Sequence, residues 1–193
     1  MQHPLTFVST GKRRPLFLAL LFWTLILFAV FRVLNNPLVT PVSPGGILSF
    51  ELAGSVQRAR MITNAWKEAS LLLSAVAGQP NPDIVNLPYL YAAFGLGLDY
   101  LFMPSYALTI ALGTLLAAGR HKGWFLSFGA IAGYGAFAAA LFDAVENYAL
   151  WQILLGAVYS PYPQLAAFCA TFKFVLILSG IVYSLIGWLW PRM

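Results

Sequence analysis

Four long apolar stretches constrain the fold more than any other feature of this sequence. They cover about residues 15–35, 88–118, 124–155 and 165–190. A helix needs about 20 mainly apolar residues to cross the hydrocarbon core of a bilayer, and each stretch reaches that length. Only 9% of the 193 residues are charged, whereas a soluble domain typically has about 25%. The sequence therefore predicts an all-α integral membrane protein, a single membrane domain (1–193) with four transmembrane helices in an antiparallel bundle.

Basic residues between and beside these stretches predict the orientation. Lys12, Arg13 and Arg14 precede the first stretch, residues 120–122 (Arg-His-Lys) separate the second from the third, and Arg192 follows the fourth. Cytoplasmic loops are enriched in Lys and Arg, so both termini are expected in the cytoplasm and the protein in the cell (inner) membrane. The first stretch is long for a signal peptide and lacks a small-x-small cleavage site, which favours a retained helix.

The segment between the first two spans has a different pattern. From about residue 47 to residue 77, apolar residues recur at helical spacing and charged residues occupy much of the remainder. This pattern predicts an amphipathic helix, or two short ones, on the outer surface of the bundle or in the membrane interface. The charges of the segment cancel when Asp83 is included, and residues 78–82 (Gly-Gln-Pro-Asn-Pro) are expected to end it. The apolar stripe includes Leu48, Leu52, Val56, Ala59, Ile62 and Trp66.

Five charged side chains fall inside the predicted spans. With a rise of about 1.5 Å per residue, all five lie roughly 26 to 33 Å from the cytoplasmic ends of their helices. Since the apolar core of a bilayer is about 30 Å thick, this places them in one layer near its outer boundary. Charges at this depth are rare and mark functional sites by default. The five residues are Arg32, Asp99, Asp143, Glu146 and Lys173.

The third span contributes most of the acidic side chains of this layer. Asp143, Glu146 and Asn147 are three or four residues apart and share a helix face. Small residues continue this face towards the start of the span, and small residues allow another helix to approach closely. The acidic face is therefore expected to point into the bundle. Tyrosines of the spans are candidate hydrogen-bond donors to it: Tyr100 and Tyr148, with Tyr106 and Tyr134.

Three readings of the charged layer stay open. It is a substrate or proton site that opens to the outside, or a structural network in which Lys173 pairs with the carboxylates and fixes helix order. Alternatively the spans are misplaced and some of these residues lie in interfacial water. Arg32 has its own alternative, which is extension of its long side chain to the outer interface. Three acids against two bases leave one carboxylate to be neutralised by a proton, because burial and a nearby like charge favour the protonated form.

Several kinds of site find no support in the sequence. One cysteine, Cys169, excludes an internal disulfide and a cysteine-based metal cluster, and two histidines, one near the terminus and one in a basic loop, do not favour a histidine metal site. No metal and no cofactor are therefore predicted. The net charge of +5 is small and comes from short clusters, so nucleic acid is not an expected partner.

The sequence favours a non-catalytic function. The first hypothesis is a site near the outer leaflet that binds or transports a small amphiphile, a lipid head group or a cation. The second is a structural or assembly subunit of a membrane complex, and the third is a membrane enzyme that uses a carboxylate acid/base pair on a lipid-like substrate. The expected partners are the lipid bilayer, a lipid-like or small cationic ligand, and either further copies of the chain or a larger membrane complex. Four spans without a visible inverted repeat are few for a transporter, so transport is expected to require a homo-oligomer.

Overall fold

The structure is a computed structural model that describes residues 2–76 and 87–190. Helices make up 80% of it, and no strand occurs in these two ranges. Residue 77, the predicted stop at residues 78–82, Asp83 and Arg192 lie outside the described residues. The elements are α1 (Thr10–Leu34), a short 3-10 helix (Asn36–Leu38), α2 (Ile47–Glu51), α3 (Val56–Val76), α4 (Leu87–Ala118), α5 (Trp124–Leu154) and α6 (Tyr162–Leu189).

Among the described residues, four helices are long and apolar enough to cross a membrane, which confirms the prediction of four candidate spans. They are α1 with its extension to Leu38, α4, α5 and α6. Their antiparallel arrangement, their insertion into a bilayer and the single domain stay predictions. Helix α1 begins at Thr10, before the predicted start near residue 15, and includes Pro15. Pro15 is the sixth residue of this helix, so it removes the backbone hydrogen bond to the carbonyl oxygen of Gly11, and the helix nevertheless continues through it.

The segment between the first two candidate spans forms two helices, α2 and α3, one of the two alternatives predicted. Gly54 lies between them with φ +66°, a conformation that glycine adopts without steric strain. The predicted apolar stripe is buried in α3, where Ile62 and Trp66 have no exposed surface. In α2 the buried side chain is Phe50, whereas Leu48 and Leu52, the residue directly after the helix, are exposed. Five residues make too short a helix for periodicity to identify the buried face.

Contacts divide the chain into two compact units. Unit 1 consists of residues 1–27, 101–144 and 171–193, and unit 2 of residues 28–100 and 145–170. Each of the four long helices contributes one segment to each unit.

The core of unit 2 is built around Trp66 of α3. Its ring packs edge-on against Phe50, with the centroids 5.1 Å apart. The indole N–H donates a hydrogen bond to the carbonyl oxygen of Leu38 at 2.9 Å. The Ser43 hydroxyl donates to the same carbonyl at 2.8 Å. A buried indole usually needs such an acceptor, so these bonds fix the turn after α1 against α3.

Close helix contacts through glycine characterise unit 1. A Cβ atom built on Gly129 would lie 2.6 Å from the Cβ of Ala118 and 2.6 Å from the hydroxyl of Tyr183. A Cβ on Gly133, one turn later, would overlap the imidazole of His3. At these two glycines α5 therefore lies in close contact with α4, with α6 and with the segment that precedes α1. Such close approach is the usual reason for glycine on helices of this type.

Candidate functional site

Asp143 is the centre of a buried hydrogen-bonded group in unit 1, which we call the Asp143 group. The Lys173 ammonium donates to Oδ1 of Asp143 at 3.0 Å, and the Tyr106 hydroxyl donates to Oδ2 at 2.9 Å. Asp143 is 2% exposed, Tyr106 4% and Lys173 5%. Three segments thus meet at one carboxylate, from α4, α5 and α6.

The local sequence explains why three side chains can converge here. Ala139 and Ala136 lie four and seven residues before Asp143 in α5, and both are fully buried. Their methyl groups occupy little space, so neighbouring segments can approach this face closely. Phe142 and Phe172, the residues directly before Asp143 and Lys173, stack with their ring centroids 5.6 Å apart. The ion pair therefore has an apolar neighbour made by the same two helices.

The chemistry of the Asp143 group is that of a compensated charge. Each carboxylate oxygen accepts a bond from a different side chain, and one donor is a cation. Bonds of this type are shorter and stronger than those between neutral groups. Removing one partner of a buried ion pair leaves an uncompensated charge and typically costs about 3–5 kcal/mol. The geometry of this group favours the reading in which Lys173 fixes helix packing.

Unit 2 contains the other polar side chains of the predicted layer. The Asn147 amide donates to Oδ2 of Asp99 at 3.0 Å and to the carbonyl oxygen of Leu96 at 3.3 Å. Asn147 is 1% exposed, whereas Asp99 is only partly buried. The amide therefore orients the Asp99 carboxylate from the buried side. We call Asp99, Glu146 and Asn147 the unit 2 polar residues.

Glu146 is the most buried carboxylate in the described part of the chain, with no exposed surface. It directly precedes Asn147 in α5. An ionised carboxylate is costly to remove from water. Among the three predicted carboxylates, Glu146 therefore loses the most hydration when the chain folds.

The remaining predicted residues lie at the surface. Arg32 is exposed, and the extension of its side chain to the membrane interface stays a prediction. Tyr100 and Tyr148 are about half exposed, at 49% and 53%. The ring of Tyr148 packs against Tyr162 at 6.3 Å. The role of all three in a binding site stays a prediction.

The structure contains two buried histidines that are not part of the site predicted from the sequence. His3 is buried in unit 1 and lies 3.0 Å from the Thr114 hydroxyl through Nε2. His121, interpreted above as part of a basic loop, is also buried, and its Nε2 lies 2.9 Å from the carbonyl oxygen of Gly187. No periodic pattern identifies either histidine, because each lies outside a helix. The only signal for His3 is the pair of closely spaced glycines that make room for its ring.

Within the described residues, no three metal-binding side chains come together in a group that could hold an ion. Comparison of the chain with family models, with curated proteins and with solved structures finds no match. The geometry of the two sets of polar residues is therefore the basis for inferring a function.

Proposed function

We propose that this chain is a multi-pass membrane protein that binds a small amphiphile with a cationic head group at the unit 2 polar residues. The observation that carries this proposal is the placement of Asp99. Its carboxylate lies in a helix apolar enough to span a membrane, is held at 3.0 Å by the buried Asn147 amide, and keeps part of its surface exposed. An oriented carboxylate in an apolar setting is a favourable partner for a cation, because weak screening strengthens the attraction.

The surroundings of Asp99 support an amphiphile rather than a bare ion. Asp99 is the one charged residue of α4, and Gly95, one turn earlier on the same helix face, is partly exposed with open space at its Cβ position. A hydrocarbon tail can lie along this face while the head group reaches the carboxylate. The proposed location is the outer leaflet of the cell membrane, with both termini in the cytoplasm. Transport across the membrane is proposed only for a homo-oligomer, because four spans without an inverted repeat are few for a transporter.

A second candidate function, a packing or assembly subunit, is favoured by the Asp143 group. Both oxygens of Asp143 are bonded within the protein, so this carboxylate serves helix packing in either proposal. The two functions differ in what they require of Asp99. A binding protein needs its charge, whereas an assembly subunit needs only its hydrogen bond to Asn147.

The test is a thermal-shift measurement on the purified protein with octyltrimethylammonium below its micelle concentration. A ligand at ten times its Kd stabilises the folded protein by about 1.4 kcal/mol, which raises Tm by about 3–5 °C for a chain of this size. We expect this rise for the natural protein and its loss in Asp99→Asn. Glu68→Gln is the matched control, because Glu68 is an exposed carboxylate of α3 in the same unit.

Two results would contradict cation binding at Asp99. One is an equal rise with octyl glucoside, which has the same tail without a charge. The other is an unchanged rise in Asp99→Asn. The packing function instead predicts that Asp99→Asn folds normally and that no cationic amphiphile has an effect, whereas Asp143→Asn should lose folded protein in detergent under both functions. Native mass spectrometry of the purified protein then identifies any ligand that is retained.

A further inference from the structure

In unit 1, a cavity lies between the start of α5, the loop residues before it and the end of α6. Its lining includes neither the Asp143 group nor the unit 2 polar residues. Its volume is about 90 Å³, and it is lined by His121, Lys122, Trp124, Phe125, Ile186 and Trp190. Since about 10–15 Å³ of such volume holds one water, the cavity has room for several heavy atoms of a ligand. It does not hold a whole lipid.

The floor of the cavity is closely packed. The imidazole of His121 packs edge-on against the ring of Phe125 with the centroids 4.6 Å apart, and Phe125 stacks on Tyr183 at 4.5 Å. The Tyr183 hydroxyl donates to the carbonyl oxygen of Phe125 at 2.8 Å. A Cβ on Gly187 would lie 3.1 Å from the Phe125 ring, so the backbone of α6 is in close contact with it. This floor is apolar and preformed, which lowers the entropy lost when a ligand binds.

The rim of the cavity is exposed, aromatic and basic. Trp124 is 72% exposed and Trp190 is 53% exposed. Lys122 is exposed beside them. Tryptophan at the end of a membrane span is typical of the interface between head groups and hydrocarbon. A basic residue next to it attracts anionic lipid.

We propose that this cavity binds one anionic phospholipid, with its phosphate at Lys122 and the part of an acyl chain next to the glycerol in the apolar floor. The combination selects the ligand. The lysine alone fits any anion and the apolar floor alone fits any hydrocarbon, but both lie within one cavity at a helix end. The inference rests on membrane insertion of α5 and α6 and is independent of Asp99.

Native mass spectrometry tests the proposal on the protein with phosphatidylglycerol and phosphatidylcholine that carry identical acyl chains. One phosphatidylglycerol adduct is expected at roughly fivefold higher affinity than phosphatidylcholine, the contribution of one lysine near a membrane surface. Lys122→Gln should abolish this preference. The matched control is Lys12→Gln, an exposed lysine of the same unit that does not line the cavity.

A second variant tests the floor. Ile186→Trp adds volume at the cavity wall without a change of charge, and it should lower retention of both lipids while Tm is maintained. Equal affinity for the two lipids, or an equal loss in Lys12→Gln and Lys122→Gln, would overturn the proposal. So would binding of glycerol 3-phosphate as tightly as phosphatidylglycerol, because the acyl chain would then contribute nothing. Loss of the anionic preference in Lys122→Gln with an unchanged effect of octyltrimethylammonium would separate this site from the one proposed at Asp99.

Discussion

Lowering the pH is expected to release the segment before α1 from unit 1, through protonation of His3. The backbone N–H of Leu5 donates to Nδ1 of His3 at 3.2 Å, so Nδ1 must be an acceptor without a proton. Nε2 then carries the proton and donates to the Thr114 hydroxyl at 3.0 Å, and that hydroxyl donates onward to the carbonyl oxygen of Ala111. A second proton, on Nδ1, would place the ring N–H against the backbone N–H of Leu5, and two donors cannot bond to each other.

The free energy lost when His3 is protonated follows from the shift of its pKa. Burial of the imidazole, and secondly the positive charge of Arg13, lower this pKa from 6.5 to about 4. At about 1.36 kcal/mol per pKa unit, the difference corresponds to about 3 kcal/mol of docking free energy. Because the docked pKa is the lower one, the stabilisation is complete above pH 6.5 and is lost as the pH falls towards 4.

Carbon-13 NMR of the histidine Cε1 nuclei measures this directly, because the chain has only two histidines. His3→Gln identifies the signal by its disappearance. We expect a midpoint near pH 4, and the protection factors of the Leu5 and Val8 amides against hydrogen exchange, corrected for the intrinsic pH dependence, should fall over the same range. Gly133→Ala should return the midpoint towards 6.5, since its Cβ would overlap the His3 ring. A midpoint at pH 6 or above in the natural protein would refute the argument from burial and tautomer.

Two further predictions concern the packing of the helices. Lys173→Met leaves the buried Asp143 carboxylate without its cation and should lower the free energy of unfolding by about 3–5 kcal/mol. The double variant with Asp143→Asn should recover most of this loss in a thermal or denaturant titration, and failure to recover would show that the lysine acts mainly through packing. Gly180→Ala places a Cβ 2.5 Å from the Ile110 side chain and should cost about 1–3 kcal/mol. Gly97→Ala has open space at its Cβ and should be neutral or stabilising by up to about 1 kcal/mol in the same assay, and equal losses at both glycines would argue against a close contact at Gly180.

The elements that the sequence predicts best are those with one dominant physical cause. The length of each apolar stretch is enough to predict the four candidate spans, and the periodicity of Ala59, Ile62 and Trp66 is enough to predict the buried face of α3. A pairing of Lys173 with a carboxylate follows from the need of a buried charge for a counter-ion and is one of the open interpretations, but the sequence does not select Asp143 among the three carboxylates. None of these inferences requires knowledge of how two helices are rotated against each other.

The rest depends on that rotation, which periodicity within one helix does not contain. Tyr106 bonds to Asp143, whereas Tyr100 of the same helix is half exposed. The two tyrosines are six residues apart, so they point to different sides of α4. His3 depends on a cavity over Gly133 that is more than one hundred residues away in the chain. Contacts of this kind become visible only when the helices are placed together.

The bonds of Asp143 also limit how unit 1 can change shape. Sliding α5 by one helical turn would move the carboxylate about 5.4 Å along its axis. Bonds of 3.0 Å to Lys173 and 2.9 Å to Tyr106 cannot survive such a shift. A conformational change that keeps both bonds is therefore restricted, for the α4, α5 and α6 segments of unit 1, to motions without a large sliding of one helix along another, such as small rotations about the helix axes.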